Sequence, residues 1–257
     1  MENCKPIETP GTEKLVLSKD QCPEENSEEQ NQIKQYDYRG LIGALNYLSM
    51  SSRPDIAFQS HQLSRFLHNP GHEHWKAAKH VLRYLKHTVN YCLTYRKSNK
   101  LQLVAFSDAD WAGDVDSRKS TSGFCVKLNN ESACVAWSSK LQTTVATSTA
   151  EAEMCACFYA SQELLYMYNL LTEMKLCQDK PITLFVDNQA CIASSKNVSQ
   201  SSKTKHVALK HSFLKDLHEQ NLIKMSYRQT ADMPADLLTK SLGKIKVQKF
   251  VKDLLGF

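Results

Sequence analysis

Several signals that commonly settle a protein's class are missing from this chain. It contains no run of 18 apolar residues, which excludes a transmembrane helix. Its opening stretch, "MENCKPIETPGTEK", has no apolar core of the kind a secretory leader carries. A cytoplasmic or nuclear protein that is not secreted is therefore expected. Nine cysteines are present, but none are paired at zinc-type spacing. Cys155 and Cys157 lie two apart inside an apolar segment, so they read as core, and the whole set reads as reduced thiols. No Gly-x-Gly-x-x-Gly occurs, which speaks against a dinucleotide-binding enzyme. No internal repeat is visible.

The chain does have enough apolar residues for a sizeable core. They make up 42% of 257 residues, a length that suits one large domain or two modest ones. The net charge of +5 hides an asymmetry. Residues 1–37 carry four Lys/Arg against nine Asp/Glu, while the remainder carries twenty-eight against eighteen. A basic body with concentrated acidic spots suits a polyanion binder with cation-binding pockets, although ordinary solubility charge gives the same totals.

Three stretches can be distinguished. Residues 1–37 are polar and contain Pro6, Pro10, Pro23 and "CPEENSEEQNQ", so they read as a flexible lead-in. Residues 38–98 are helical. "LIGALNYLSMSS" is apolar at helical spacing, and Pro54 suits the first turn of the helix that follows. In "HWKAAKHVLRYLKHT", Trp75, Ala78, Val81, Leu82 and Leu85 share one face. Lys76, Lys79, His80, Arg83, Lys86 and His87 cover the opposite face, a ridge suited to phosphates or simply to solvent. "NYCLTYRKS" reads as a strand closing this unit. From residue 101 onward the pattern is β-β-β-α-β-α-α-β-α, a mixed sheet with flanking helices and thus an α/β layer architecture.

Within that region, acids recur where functional sites of α/β sheets collect, at strand ends and helix starts. "FSDADWAGD" places Asp108 at the end of one apolar strand, and "PITLFVD" places Asp187 at the end of another. A buried helix opens with Glu151 and Glu153, and Asp236 opens the helix after the last strand. Each acid alone would be an ordinary cap. Brought together they would repel, unless divalent cations with a preference for oxygen neutralised them. Two magnesium ions about 4 Å apart would suit phosphodiester hydrolysis.

The same residues carry a resemblance. "YRGLIGALNYLSMSSRPDIAF", "HWKAAKHVLRYLKHT", "SDADWAGDVDSRKSTSGF", "STAEAE", "VDNQACIASSKN", "TKHVALKHSFLKD" and "ADLLTK" follow one another as in the C-terminal part of the Pol polyprotein of copia-type LTR retrotransposons. The resemblance implies a ribonuclease H-like domain over 101–257, with a mixed five-stranded sheet and flanking helices. It implies that 38–98 is the helical tail of a reverse transcriptase, resembling its thumb or connection region. Residue by residue, it makes Asp108, Glu153, Asp187 and Asp236 both catalytic and metal-binding. Glu153 is favoured because "EMCA" fits the family's Glu-apolar-x-Ala pattern, with Glu151 as its alternative; Asp232 is the alternative to Asp236. Asp110 and Asp114 fall outside the family's metal positions and read as loop acids.

The implied activity is endonucleolytic hydrolysis of the RNA strand of an RNA–DNA hybrid. Two Mg2+ ions would serve as cofactor, with Mn2+ as a substitute. Ser120, Thr121 and Asn188 are short polar groups near the acids, suited to 2′-hydroxyl contacts or to turns and caps. Lys203, Lys205 and His206, in the polar run "SSKNVSQSSKTKH", suit phosphates or a plain connector. The family's Tyr-x-Asp-Asp polymerase signature is absent, so no polymerase activity is expected. The chain reads as a terminal piece of a Pol frame or a stand-alone descendant, with the remainder of a reverse transcriptase as an expected partner and no membrane partner. The competing reading is a catalytically idle remnant that binds nucleic acid or protein.

Overall fold

A computed structural model describes residues 3–97, 101–176, 179–196 and 205–257. Strands β1 (Val104–Asp110), β2 (Thr121–Lys127), β3 (Cys134–Leu141), β4 (Ile182–Val186) and β5 (Ile223–Tyr227) form one sheet in the order β3-β2-β1-β4-β5. β1, β2 and β3 pair antiparallel, and β4 runs parallel to both β1 and β5. This is the expected five-stranded mixed sheet, and helices flank it.

Alternation along β1 and β4 separates two cores. Ala105, Leu184 and Val186 face α5 (Thr149–Glu173) and α7 (Lys205–Glu219). Val104 and Phe106 face the other side, where a 3-10 turn (Pro234–Leu238) and α8 (Lys244–Leu255) pack. Gly123, paired with Asp108 across the ladder, makes that packing possible. A Cβ there would fall 2.7 Å from Thr239 Cγ2 and 2.8 Å from Leu238 Cβ.

The 25-residue helix α5 starts at Ser148, whose hydroxyl accepts the Glu151 N–H at 3.2 Å. Its stripe Glu153, Cys157, Ala160, Leu164 and Leu171 is buried throughout. α6 (Gln189–Lys196) follows β4 directly.

The third core belongs to the N-terminal helices α1 (Glu28–Ile33), α2 (Tyr38–Ser51), α3 (Ala57–Ser64) and α4 (His72–His87). Residues 3–37, whose composition suggested a flexible lead-in, lie along α4. Leu17 and Ile33 are buried in this core. The basic face of α4 holds their backbone: Arg83 Nε donates to Lys5 O at 2.7 Å, and Lys86 Nζ to Cys4 O at 3.1 Å. His80 Nε2 lies 3.0 Å from Thr9 O. Trp75 stacks on Tyr36, ring centroids 4.8 Å apart. Residues 91–97 are not a strand, because their partners are a helix end and a loop. The Thr94 N–H donates to Leu255 O at 2.8 Å, and its carbonyl accepts the Ala133 N–H at 3.0 Å. Among the described residues, no helix is long and apolar enough to cross a membrane.

Candidate metal centre

The ladder register brings the first two acids together. Phe106 of β1 is level with Phe185 of β4, and Ser107 with Val186. The next step along each strand is Asp108 and Asp187, on parallel neighbours that run about 4.8 Å apart. Both follow the alternation of the stacked pair Phe106 and Phe185. Asp236 arrives from the 3-10 turn, whose neighbours Ala235, Leu237 and Leu238 anchor it in the second core. Among the described residues, Asp108, Asp187 and Asp236 offer carboxylate oxygens within 4.8 Å of one another. Glu153 reaches the same place from α5, where its Oε1 accepts the Ala109 N–H at 3.3 Å.

Two hydroxyls hold the acids. Thr239 Oγ1 donates to Asp108 Oδ2, and Thr230 Oγ1 donates to Asp187 Oδ2 at 2.8 Å. Lys240 provides the counter-charge, its Nζ 3.4 Å from Asp108 Oδ2 and 3.2 Å from Asp236 Oδ1. Sequence reasoning missed this lysine. Its signal was the i, i+4 spacing from Asp236 within "ADLLTK".

The electrostatics record the crowding. Burial, then Asp108, Cys157 and Asp187, push the Glu153 carboxyl up to about 10. Burial and Asp108 push Asp236 up to about 7, even with Lys240 pulling the other way. Asp187 is raised by burial and by Asp108, against the Thr230 hydrogen bond. Burial alone would lower the Lys240 ammonium, but Asp108 and Asp236 raise it above the ordinary lysine range.

Asp236 Oδ2 and Glu153 Oε2 are buried without a hydrogen-bond partner among the described residues, and Asp236 Oδ1 meets only the Lys240 ammonium. Carboxyl oxygens converging from four elements, some without a protein partner, are a donor set that fits a hard divalent cation, whose binding would displace the protons that Glu153 and Asp236 hold. The buried acidic cluster is compatible with divalent metal binding.

The other sequence candidates sit elsewhere. Glu151 Oε2 accepts from Thr147 N at 2.7 Å and from Thr147 Oγ1 at 2.6 Å, so it closes the start of α5. Asp232 pairs with Lys249 at the surface, which holds its carboxyl below the usual range. Ser120 is fully buried, and its Oγ accepts the Ala112 N–H at 3.1 Å. Thr121 opens β2 and is buried. Asn188 Oδ1 accepts the Cys191 N–H at 3.0 Å, as a cap of α6. Lys203 and the side chains of Lys205 and His206 lie outside the described residues. Of the loop acids, Asp110 is raised by burial and Asp108 against the opposing pull of Lys240. Asp114 is bound by Arg65 and Ser117, which together outweigh its burial and lower it.

Comparison with known proteins places this geometry in context. No family model matches the chain. It is 38% identical over 256 residues to the retrovirus-related Pol polyprotein from transposon TNT 1-94 of Nicotiana tabacum, covering all of this chain and 19% of that protein. It therefore spans about a fifth of that relative's length. It is also 46% identical over 135 residues to secreted RxLR effector protein 161 of Plasmopara viticola, covering 52% of this chain and 94% of that protein. Among solved structures, LC11-RNase H1 isolated from compost matches at a TM-score of 0.41 and 14% identity, over 58% of this chain and 96% of that one.

Proposed function

Because the chain belongs to the family of retrovirus-related Pol polyproteins of transposons, we propose that it is a metal-dependent ribonuclease H that cuts the RNA strand of RNA–DNA hybrids. One observation carries this reading: the carboxylates of Asp108, Asp187 and Asp236 come within 4.8 Å of one another from three separate elements, and Glu153 of α5 accepts the N–H of Ala109, the neighbour of Asp108, with buried oxygens that lack a hydrogen-bond partner among them. Those four side chains would hold the magnesium ions, with manganese as a substitute. Bound there, such ions supply Lewis-acid stabilisation of the charge that develops on a phosphodiester during hydrolysis. Thr239 and Thr230 each fix one carboxylate oxygen, so the ligand set is oriented before any ion arrives. Lys240 keeps a positive charge at the centre when no metal is bound and adds to its attraction for a phosphate. The basic excess of residues 38–257 suits the polyanionic substrate, and the implied partner is the rest of a reverse transcriptase.

One observation favours the second reading, an idle nucleic-acid-binding module. Lys240 already neutralises part of the cluster, so the fold does not require a metal to tolerate its acids. Cleavage of an end-labelled hybrid by the full chain separates the two readings. Magnesium-dependent cutting is expected, EDTA should stop it, and Asp187→Asn should lower it by orders of magnitude. The same variant should melt no lower than the parent in EDTA, since one repelling charge is gone. A variant that melts lower and still cuts would make Asp187 a structural cap.

A further inference from the structure

Trp111 is the one large aromatic in the loop that leaves β1, and it stands three residues beyond Asp108. Three residues of extended chain reach at most about 10 Å. That is the rise of roughly three nucleotides along one strand. The side chain is 47% exposed, yet it is not loose. Its Nε1–H donates to Ala146 O at 3.1 Å, which ties it to the segment that leads into α5 and delivers Glu153. The indole therefore bridges the two chain segments that bring Asp108 and Glu153 to the centre.

The loop behind it is tightly determined. Ala112 adopts a left-handed φ of 52° and donates its N–H to Ser120 Oγ at 3.1 Å. Gly113 lies so close to Asp110 that a Cβ would fall 1.8 Å from Oδ2 and force the Asp110 carboxyl to move. Asp114 is locked by Arg65 of the N-terminal unit and by Ser117. Holding a non-glycine residue in the left-handed region costs free energy, and here it accompanies a half-exposed aromatic ring anchored just past the strand end that carries Asp108. Arg118 is exposed in the same loop, with Lys119 half-buried beside it. Lys140 is exposed at the end of β3, and Val145, beside Ala146, is 51% exposed. A flat apolar ring with nearby cations matches the sugar–phosphate backbone of a nucleic acid strand. The cations take the phosphates and the ring takes a sugar face.

We infer that Trp111 is a nucleic-acid contact residue, a platform for a sugar of the bound strand within three nucleotides of the carboxylate centre. The inference rests on the nuclease reading of that centre and adds a determinant of substrate binding and register. Its occupant is the backbone of the strand, so the platform orients substrate and takes no part in bond making.

The test is fluorescence anisotropy of a labelled RNA–DNA hybrid titrated with the full chain in calcium, an oxygen-seeking ion, with a gel to verify that the probe is intact. The parent protein, Trp111→Ala, Trp111→Phe and Trp111→Tyr are compared, with double-stranded DNA and single-stranded RNA as further probes. Trp111→Ala is expected to weaken hybrid binding roughly tenfold, with Phe and Tyr recovering most of it. All three variants lose the bond to Ala146 O and should melt a few degrees lower than the parent while remaining folded at the assay temperature, which circular dichroism checks. Trp111→Ala binding as tightly as the parent would overturn the inference while leaving the nuclease reading standing. So would a loss that the aromatic variants fail to restore. A parent protein that binds none of the probes would overturn both.

Discussion

At the scale of single residues, the acids of the centre differ in what the sequence reveals. Asp108 and Asp187 were legible because each ends an apolar strand. Glu151 and Glu153 were not separable by spacing alone, since both sit in the first turns of α5. The structure brings Glu153 to the other carboxylates and gives Glu151 to Thr147. Lys240 was passed over because a lysine in a polar stretch reads as solvated surface. The raised values at Glu153 and Asp236 make a pH prediction. Unfolded, both groups titrate near 4. Folded and metal-free, they hold their protons to about 10 and about 7. Through these two groups the native state binds more protons than the unfolded chain across neutral pH, so their contribution to stability falls as pH rises, while His61, His74 and His80, lowered by burial, contribute in the opposite direction. Between pH 5 and pH 8 in EDTA, the melting temperature of the parent should therefore fall with rising pH relative to that of Glu153→Gln, and magnesium should shrink that difference. Glu153→Gln should flatten the profile, whereas Glu151→Gln should leave its slope unchanged. A Glu153→Gln profile parallel to that of the parent would contradict the burial of these acids beside one another.

At the scale of elements, the centre depends on a close fit between a strand and a turn. Gly123 lets the Pro234–Leu238 turn lie on β2, and the following Thr239 then reaches Asp108. The need for glycine was not legible, because a glycine in a strand reads only as a weak point or a bulge. Gly123→Ala should destabilise the fold by about 1–3 kcal/mol through overpacking. In a chain of this length that is several degrees of melting temperature. It should also weaken metal binding, because Thr239 would shift with the turn. Calorimetry of the variant with and without manganese would check both effects, and a variant matching the parent in each would refute the packing account. The order of strands and helices, by contrast, followed from alternation and helical period alone.

At the scale of the whole molecule, the N-terminal helices grip the sheet domain around the centre. Arg65 pairs with Asp114, and Asp116 lies 3.6 Å from the same guanidinium. Gln59 Nε2 donates to Ser241 Oγ at 2.8 Å, next to Lys240. The Leu141 N–H donates to His61 Nε2 at 3.2 Å, at the end of β3. Arg65→Ala would leave the buried Asp114 carboxylate with only Ser117 and backbone donors. A loss of about 2 kcal/mol is expected, together with faster proteolysis between residues 91 and 101. Unchanged cleavage kinetics there would show that this contact does not couple the two parts.

The sequence by itself determined the sheet, its flanking helices and the strand-end positions of Asp108 and Asp187, because period and strand-end position are local properties of the chain. The covering of the α4 basic ridge by residues 3–12, the position of Glu153 rather than Glu151 beside Asp108 and the reach of Lys240 to Asp108 depend on tertiary structure. Each depends on a group distant in sequence coming within hydrogen-bond or Coulomb range, as Asp108 does for Lys240, and the local spacing carries only part of that information. The acidic lead-in illustrates the point: its composition has the marks of disorder, but a ridge of Arg83, Lys86 and His80 supplies donors to its backbone.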